Sequence, residues 1–157
     1  MSKKILLICT GNTCRSPMAA ALLRKILEKR GKLSPEIQIA SAGLYAYPGA
    51  PASAEAVAAM QEYGVDLTDH RARGVAREEL LAADLILTMT SAHKRAVEAL
   101  TEDVPVFTLG EFAGGDEELA DPFGQGIDAY RSAAGKIREL LVKTVDRLEN
   151  FWKEGEG

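Results

Sequence analysis

Cys9 and Arg15 stand six positions apart, enclosing Thr10, Gly11, Asn12, Thr13 and Cys14, and Ser16 and Pro17 follow. A thiol and a guanidinium at that separation suit chemistry on a tetrahedral oxyanion. The thiolate is a nucleophile. The guanidinium is a planar, permanently charged fork that matches two oxygens of one anion. A glycine-containing loop between them can point successive backbone N–H groups inward, making a nest of anion size. A helix that starts after the loop adds its positive N-terminal end. Together these fields would favour the thiolate form of Cys9. Ser16 can hydrogen-bond the sulfur and stabilise it as a leaving group. Asn12 is expected to hold the loop's shape, in the left-handed conformation that asparagine tolerates. The blander alternative is a buried strand-end cysteine before an ordinary helix. It leaves Gly11, Arg15, Ser16 and Pro17 at these offsets unexplained.

A reaction at phosphorus needs little beyond positioning, charge stabilisation and a proton for the departing atom. Asp121 can supply that proton. It sits in a polar loop, stiffened by Pro122 and beside apolar Phe123. An aspartate opening a proline turn before a helix is equally common without any such role. His70, a single histidine among charged residues, reads as a surface or hydrogen-bonded structural residue rather than a catalyst. His93, beside Lys94 and Arg95 on an expected helix, reads as solvated.

The two cysteines, Cys9 and Cys14, are too near each other in sequence to join distant parts of the chain. Two thiols without further ligands do not build a zinc site either, and the two histidines are not spaced near them. Chemistry is the better reading. No metal and no cofactor are expected, because Arg15 and the loop amides can neutralise an anion unaided.

The chain has 157 residues, 46% of them apolar and 27% charged, with a formal net charge of -4. That length suits one domain, residues 1–157, with a real core. A net negative charge gives no general attraction to nucleic acid or to anionic membrane. The apolar run Ile5–Cys9 is far too short to span a bilayer. Ser2-Lys3-Lys4 imitates the start of a leader, but the apolar part stops at once in Thr10-Gly11-Asn12. The expectation is a cytoplasmic monomer.

Patterning supplies the scaffold for the loop. Lys3–Cys9 reads as a strand buried on both faces. Ser16 and Pro17 are expected as N-cap and first residue of a helix whose apolar face is Met18, Leu22, Leu23, Ile26 and Leu27, stopping at Gly31. Glu36–Ala40 alternates like a strand, and residues 44–51 form a loop. Helices are expected over 53–63, 77–82 and 91–100, with strands at 85–88 and 104–108. Pro105 puts the last of these at an edge. A long polar loop covers 114–126, and one closing helix starts at Ile127, with Tyr130 among its apolar positions. Alternating strands and helices imply a three-layer α/β fold with a mainly parallel four-stranded sheet flanked by helices. Ligands bind beyond the carboxyl ends of such strands, which is where the loop after strand 1 lies.

The run CTGNTCRSP near the start of the chain is more specific than any cysteine–arginine loop. With Ser41-Ala42-Gly43, His70 in DHRAR, and Asp121-Pro122-Phe123, it resembles the low-molecular-weight protein phosphatase family over nearly the whole chain. The resemblance implies that Cys9 attacks phosphorus to give a cysteinyl-phosphate. Asp121 then protonates the leaving group and helps activate water. Thr10, Gly11, Asn12, Thr13, Cys14 and Ser16 contact or shape the phosphate site, with Phe123 as a wall. Asn12, Ser41 and His70 support the loop from below. Phosphorylated proteins are the implied substrates. Thr13 and the single aromatic of DPFG resemble the protein-arginine phosphatase subgroup, with Leu44 to Tyr47 as a possible opposite wall. Phosphotyrosine is the alternative substrate, and a non-catalytic oxyanion-binding or redox-sensing module is the alternative of another class. An arsenate reductase would need further cysteines after Cys14, and none follows. Cys9 and Cys14 are also candidates for a reversible disulfide.

Overall fold

The computed structural model describes residues 2–156. Strand β1, Lys3–Cys9, carries Ile5, Leu6, Leu7 and Ile8, all fully buried. Side chains alternate faces along a strand, so Ile5 and Leu7 enter one apolar cluster while Leu6 and Ile8 enter another. Helices must therefore cover both faces. Helix α1, Arg15–Lys29, buries its Met18, Leu22, Leu23, Ile26 and Leu27 stripe against the first face. Leu80 of α3, Arg77–Ala82, and Val97 of α4, Ser91–Glu98, cover the second. Burying side chains of this size contributes roughly 2 kcal/mol each.

The remaining strands are β2, Ile37–Gly43; β3, Leu85–Thr88; and β4, Val106–Thr108. They lie in the order β2-β1-β3-β4, and every pairing is parallel. The edge position expected from Pro105 holds for β4. The closing helix α6, Ile127–Glu156, packs on α1 and on α2, Ala54–Gln61. Among the described residues no helix is long and apolar enough to cross a membrane.

Three local expectations need correction. The strand expected over Glu36–Ala40 runs on to Gly43, in register with β1, so that Ser41 lies beside Leu7 and Gly43 beside Cys9. Its parallel partner overrides the weak local pattern of Ser41-Ala42-Gly43. Ser16 is not the N-cap of α1. Cys14 holds that position, and Pro17 is the third helical residue. Proline is tolerated there because N–H groups of the first turn have no partner inside the helix. A further short helix, α5, Leu109–Phe112, follows β4 directly and starts with a capping box between Thr108 and Glu111.

Candidate active site

Strand β1 delivers Cys9 to the carboxyl edge of the sheet, and α1 begins six residues later at Arg15. The loop between them is clamped from outside through its carbonyls. Leu44 N–H donates to Cys9 O, Tyr45 N–H to Thr10 O and Ser53 N–H to Thr13 O, each at 3.0 Å. His70 Nε2 lies 2.7 Å from Asn12 O. A carbonyl only accepts, so Nε2 carries the proton. Four carbonyls of the loop, those of Cys9, Thr10, Asn12 and Thr13, are thus held by residues outside it. Gly43 permits the close packing behind it: a Cβ there would stand 2.5 Å from Thr10 O and 3.1 Å from Asn12 N.

Asn12 is fully buried with φ of 58°, the left-handed conformation expected of it. Its amide orientation follows from its partners. Arg73 N–H reaches Asn12 Oδ1 at 3.0 Å, and a backbone N–H can only donate. The NH2 group therefore faces Ser16 Oγ at 2.9 Å and Ser41 Oγ at 3.0 Å. Ser16 Oγ accepts from Asn12, so its own proton is free for Cys9 Sγ, 3.0 Å away. Asn12 N–H adds a second donor to the sulfur at 3.3 Å. Ser16 Oγ and Asn12 N–H thus both face the one sulfur as donors.

Arg15 is 95% buried, and its Nη1 donates to Leu119 O at 2.8 Å. Leu119 N–H bonds Met89 O past the end of β3, which ties the 119–123 loop to the sheet. Asp121 Oδ2 stands 3.8 Å from Arg15 Nη2, and Oδ1 accepts from Phe123 N–H at 3.1 Å. The carboxylate is about half exposed, so its attraction to Arg15 is modest. Cys9, Thr10, Gly11, Asn12, Thr13, Cys14, Arg15, Asp121 and Phe123 together enclose a cavity of about 210 Å³. A buried sulfur and a half-exposed carboxyl across one such cavity can attack and protonate opposite ends of a scissile bond.

Ser16, Ser41 and His70 do not line this cavity; they hydrogen-bond to Cys9 or Asn12 of the loop that does. The Leu44–Tyr47 wall does not form part of it. Leu44 packs into the smaller apolar cluster, and Tyr45 and Tyr47 project into solvent. Cys9 and Cys14 are both free thiols and both buried. Cys14 Sγ lies 3.2 Å from the hydroxyl of Tyr130, which burial and that contact push up to about 12. Nothing in the apolar spacing of α6 distinguishes Tyr130 from an ordinary core residue.

His93 contradicts its expectation. It is buried, not solvated, and Nε2 lies 2.8 Å from Thr10 Oγ1. Burial, and then the positive charge of Arg15, push it down from 6.5 to about 4, against the opposing pull of Asp121 and Glu118. The available signal was its spacing from Val97, one helical turn on and fully buried.

Residues 4–153 match the family model described as low molecular weight phosphotyrosine protein phosphatase. A protein-arginine-phosphatase of Geobacillus stearothermophilus is 38% identical over 155 residues, 95% of this chain and 98% of the relative. A low molecular weight protein-tyrosine-phosphatase, PtpB, of Staphylococcus epidermidis is 38% identical over 141 residues, 89% and 95% of the two chains. Among solved structures, a cysteine-to-serine mutant of YwlE arginine phosphatase with a phosphorylated active-site serine superposes with a TM-score of 0.86. It is 36% identical, over 93% of this chain and 95% of that one.

Proposed function

The chain belongs to the low molecular weight phosphotyrosine protein phosphatase family, and on that premise we propose that it removes phosphoryl groups from arginine side chains of proteins. Phosphorylated proteins are the substrates of the family, so the enzyme class is a hydrolase. The finer reading rests on one observation above all. Thr13, with its hydroxyl, lines the cavity beside Cys9 and Arg15, and Phe123 is its single aromatic wall. A stacked phenyl ring would be served better by two aromatic walls. A guanidinium is cationic and hydrogen-bonding, and a hydroxyl next to the phosphoryl group suits it. The protein-arginine-phosphatase similarity over 95% of the chain supports the same reading.

The mechanism follows from the roles we assign. The Cys9 thiolate attacks phosphorus. An S–P bond forms, the P–N bond breaks, and Asp121 gives its proton to the departing guanidino nitrogen. Arg15 and the amides of Thr13, Cys14 and Arg15 hold the three phosphoryl oxygens. In the second step the Asp121 carboxylate takes a proton from water as its oxygen attacks phosphorus. The S–P bond breaks, inorganic phosphate leaves, and the sulfur departs as a thiolate facing the Ser16 hydroxyl and the Asn12 amide. No metal or other cofactor has a part in this scheme. Thr10, Gly11, Asn12 and Thr13 shape the anion's seat, with Ser41 and His70 behind them. We take the enzyme to work as a cytoplasmic single-domain monomer.

The test is the ratio of kcat/KM for phosphoarginine and phosphotyrosine peptides, in wild type and Thr13→Ile. Wild type should favour phosphoarginine, and Thr13→Ile should shift the ratio toward phosphotyrosine by at least about tenfold, the scale of one lost hydrogen bond. A wild type that favours phosphotyrosine sinks the substrate assignment while leaving the cysteine phosphatase standing.

A further inference from the structure

Among the described residues, the polar side chain that reaches the loop from α4 is that of His93. It comes from the face of the sheet opposite α1, and the scheme above gives it no part. Thr10 Oγ1 and His93 Nε2, 2.8 Å apart, share one proton whose owner depends on the ring's tautomer. The other ring nitrogen decides it. Nδ1 is buried and has no partner among the described residues. A proton there would be a buried N–H without an acceptor, the rarer and costlier defect, whereas a bare lone pair is better tolerated. The neutral ring therefore carries its proton on Nε2 and donates to Thr10. Arg15 reinforces this, because a cation nearby opposes a second ring proton. The charged groups facing the ring are Arg15, Asp121 and Glu118, and burial outweighs the two carboxylates.

With its oxygen accepting from His93, Thr10 has its own hydroxyl proton left over. Its oxygen has no other hydrogen-bond partner among the described residues. Thr10 lines the cavity, immediately after the nucleophile. We propose that His93 is a positioning residue that fixes Thr10 as a hydrogen-bond donor to the anion held in the cavity. Thr10 then stands with the loop amides and Arg15 as a donor. A hydroxyl left to rotate would present a lone pair to the anion part of the time. The imidazole removes that option, and its neutrality keeps a second cation from competing with Arg15 for the phosphoryl group. This inference rests on the phosphatase reading, but its first readout does not.

That readout is the 15N spectrum of the His93 ring in the free wild-type protein. A protonated Nε2 and a bare Nδ1, unchanged between pH 5.5 and 8, are expected, and the opposite tautomer overturns the proposal. The second readout is affinity for vanadate, a tetrahedral stand-in for the phosphoryl group, in a double-mutant cycle. Thr10→Val and His93→Phe should each bind about tenfold more weakly, the scale of one hydrogen bond. The double variant should bind no more weakly than the poorer single, because both remove the same donor. His93→Gln places an amide N–H near the position of Nε2 and should recover most of the affinity. Additive losses, or a glutamine variant no better than phenylalanine, overturn the proposal. Should His93→Phe fail to fold, the tautomer and the glutamine and valine variants still decide. Turnover of p-nitrophenyl phosphate by wild type reports separately on the phosphatase reading.

Discussion

Asn12→Ala removes the centre of the hydrogen-bond network beneath Cys9, and its cost can be worked out bond by bond. Three hydrogen bonds are lost: Asn12 Nδ2 to Ser16 Oγ, Asn12 Nδ2 to Ser41 Oγ, and Arg73 N–H to Asn12 Oδ1. At about 1 kcal/mol net for each, they amount to about 3 kcal/mol. Alanine must also adopt φ of 58°, which adds about 1 kcal/mol. The expected loss is about 4 kcal/mol of a total that for a domain is about 5–15 kcal/mol, so the variant still folds. Asn12→Gly loses the same bonds without the strain and should lie about 1 kcal/mol above Asn12→Ala. Both should lose activity, since Ser16 is no longer obliged to turn its proton toward Cys9. Urea unfolding followed by circular dichroism gives the stabilities, and p-nitrophenyl phosphate turnover gives the rates. A loss below about 1 kcal/mol in Asn12→Ala, or full activity in either variant, refutes the account of the network.

Asp121→Asn should slow substrates with poor leaving groups most and spare activated aryl phosphates. Equal losses across leaving groups of widely different pKa would make Asp121 structural, a turn residue bonded to Phe123 N–H. Stability should depend on pH through His93, whose folded value of about 4 lies below its ordinary 6.5. The unfolded chain binds the proton more readily between those values. The contribution is therefore complete above about pH 6.5 and falls, by up to about 3 kcal/mol, as the pH drops toward 4. Subtracting the curve of His93→Gln isolates it from the carboxylates, and coincident curves would show that His93 titrates normally. Peroxide should inactivate wild type reversibly through a disulfide between Cys9 and Cys14. Cys14→Ser should not recover with dithiothreitol, and equal recovery of both proteins removes Cys14 from that role.

The Cys9–Arg15 loop was legible because the residues that shape it are consecutive. A short apolar strand, a glycine turn, Arg15 and a helix start specify one local geometry, and the loop between β1 and α1 has it. Asp121 was argued from its own polar loop beside Pro122 and Phe123, whereas Ser41 and His70 were named through the resemblance, since nothing in local spacing says that residues so far apart in sequence meet. What escaped was decided by tertiary partners. Ser41-Ala42-Gly43 is extended because β1 pairs with it, not because these residues favour strands. Ser16 looked like a helix cap because serine often is one, but its hydroxyl is held by Asn12 and Cys9. His93 looked solvated because Lys94 and Arg95 follow it, although helical neighbours in sequence point to different faces. Tyr130 met the apolar pattern of α6 and kept its hydroxyl contact with Cys14 out of sight.

The central claim is that Cys9 carries the phosphoryl group between substrate and water. Rapid acid quench during turnover of a phosphopeptide, followed by mass spectrometry of the digested protein, tests it directly. One phosphoryl group should appear on the peptide bearing Cys9, rise within the first turnover and vanish as substrate runs out. Asp121→Asn, slower at the hydrolytic step, should accumulate it further with an activated aryl phosphate. Turnover with no phosphoryl group on the protein, or with the label on any residue other than Cys9, would contradict the account.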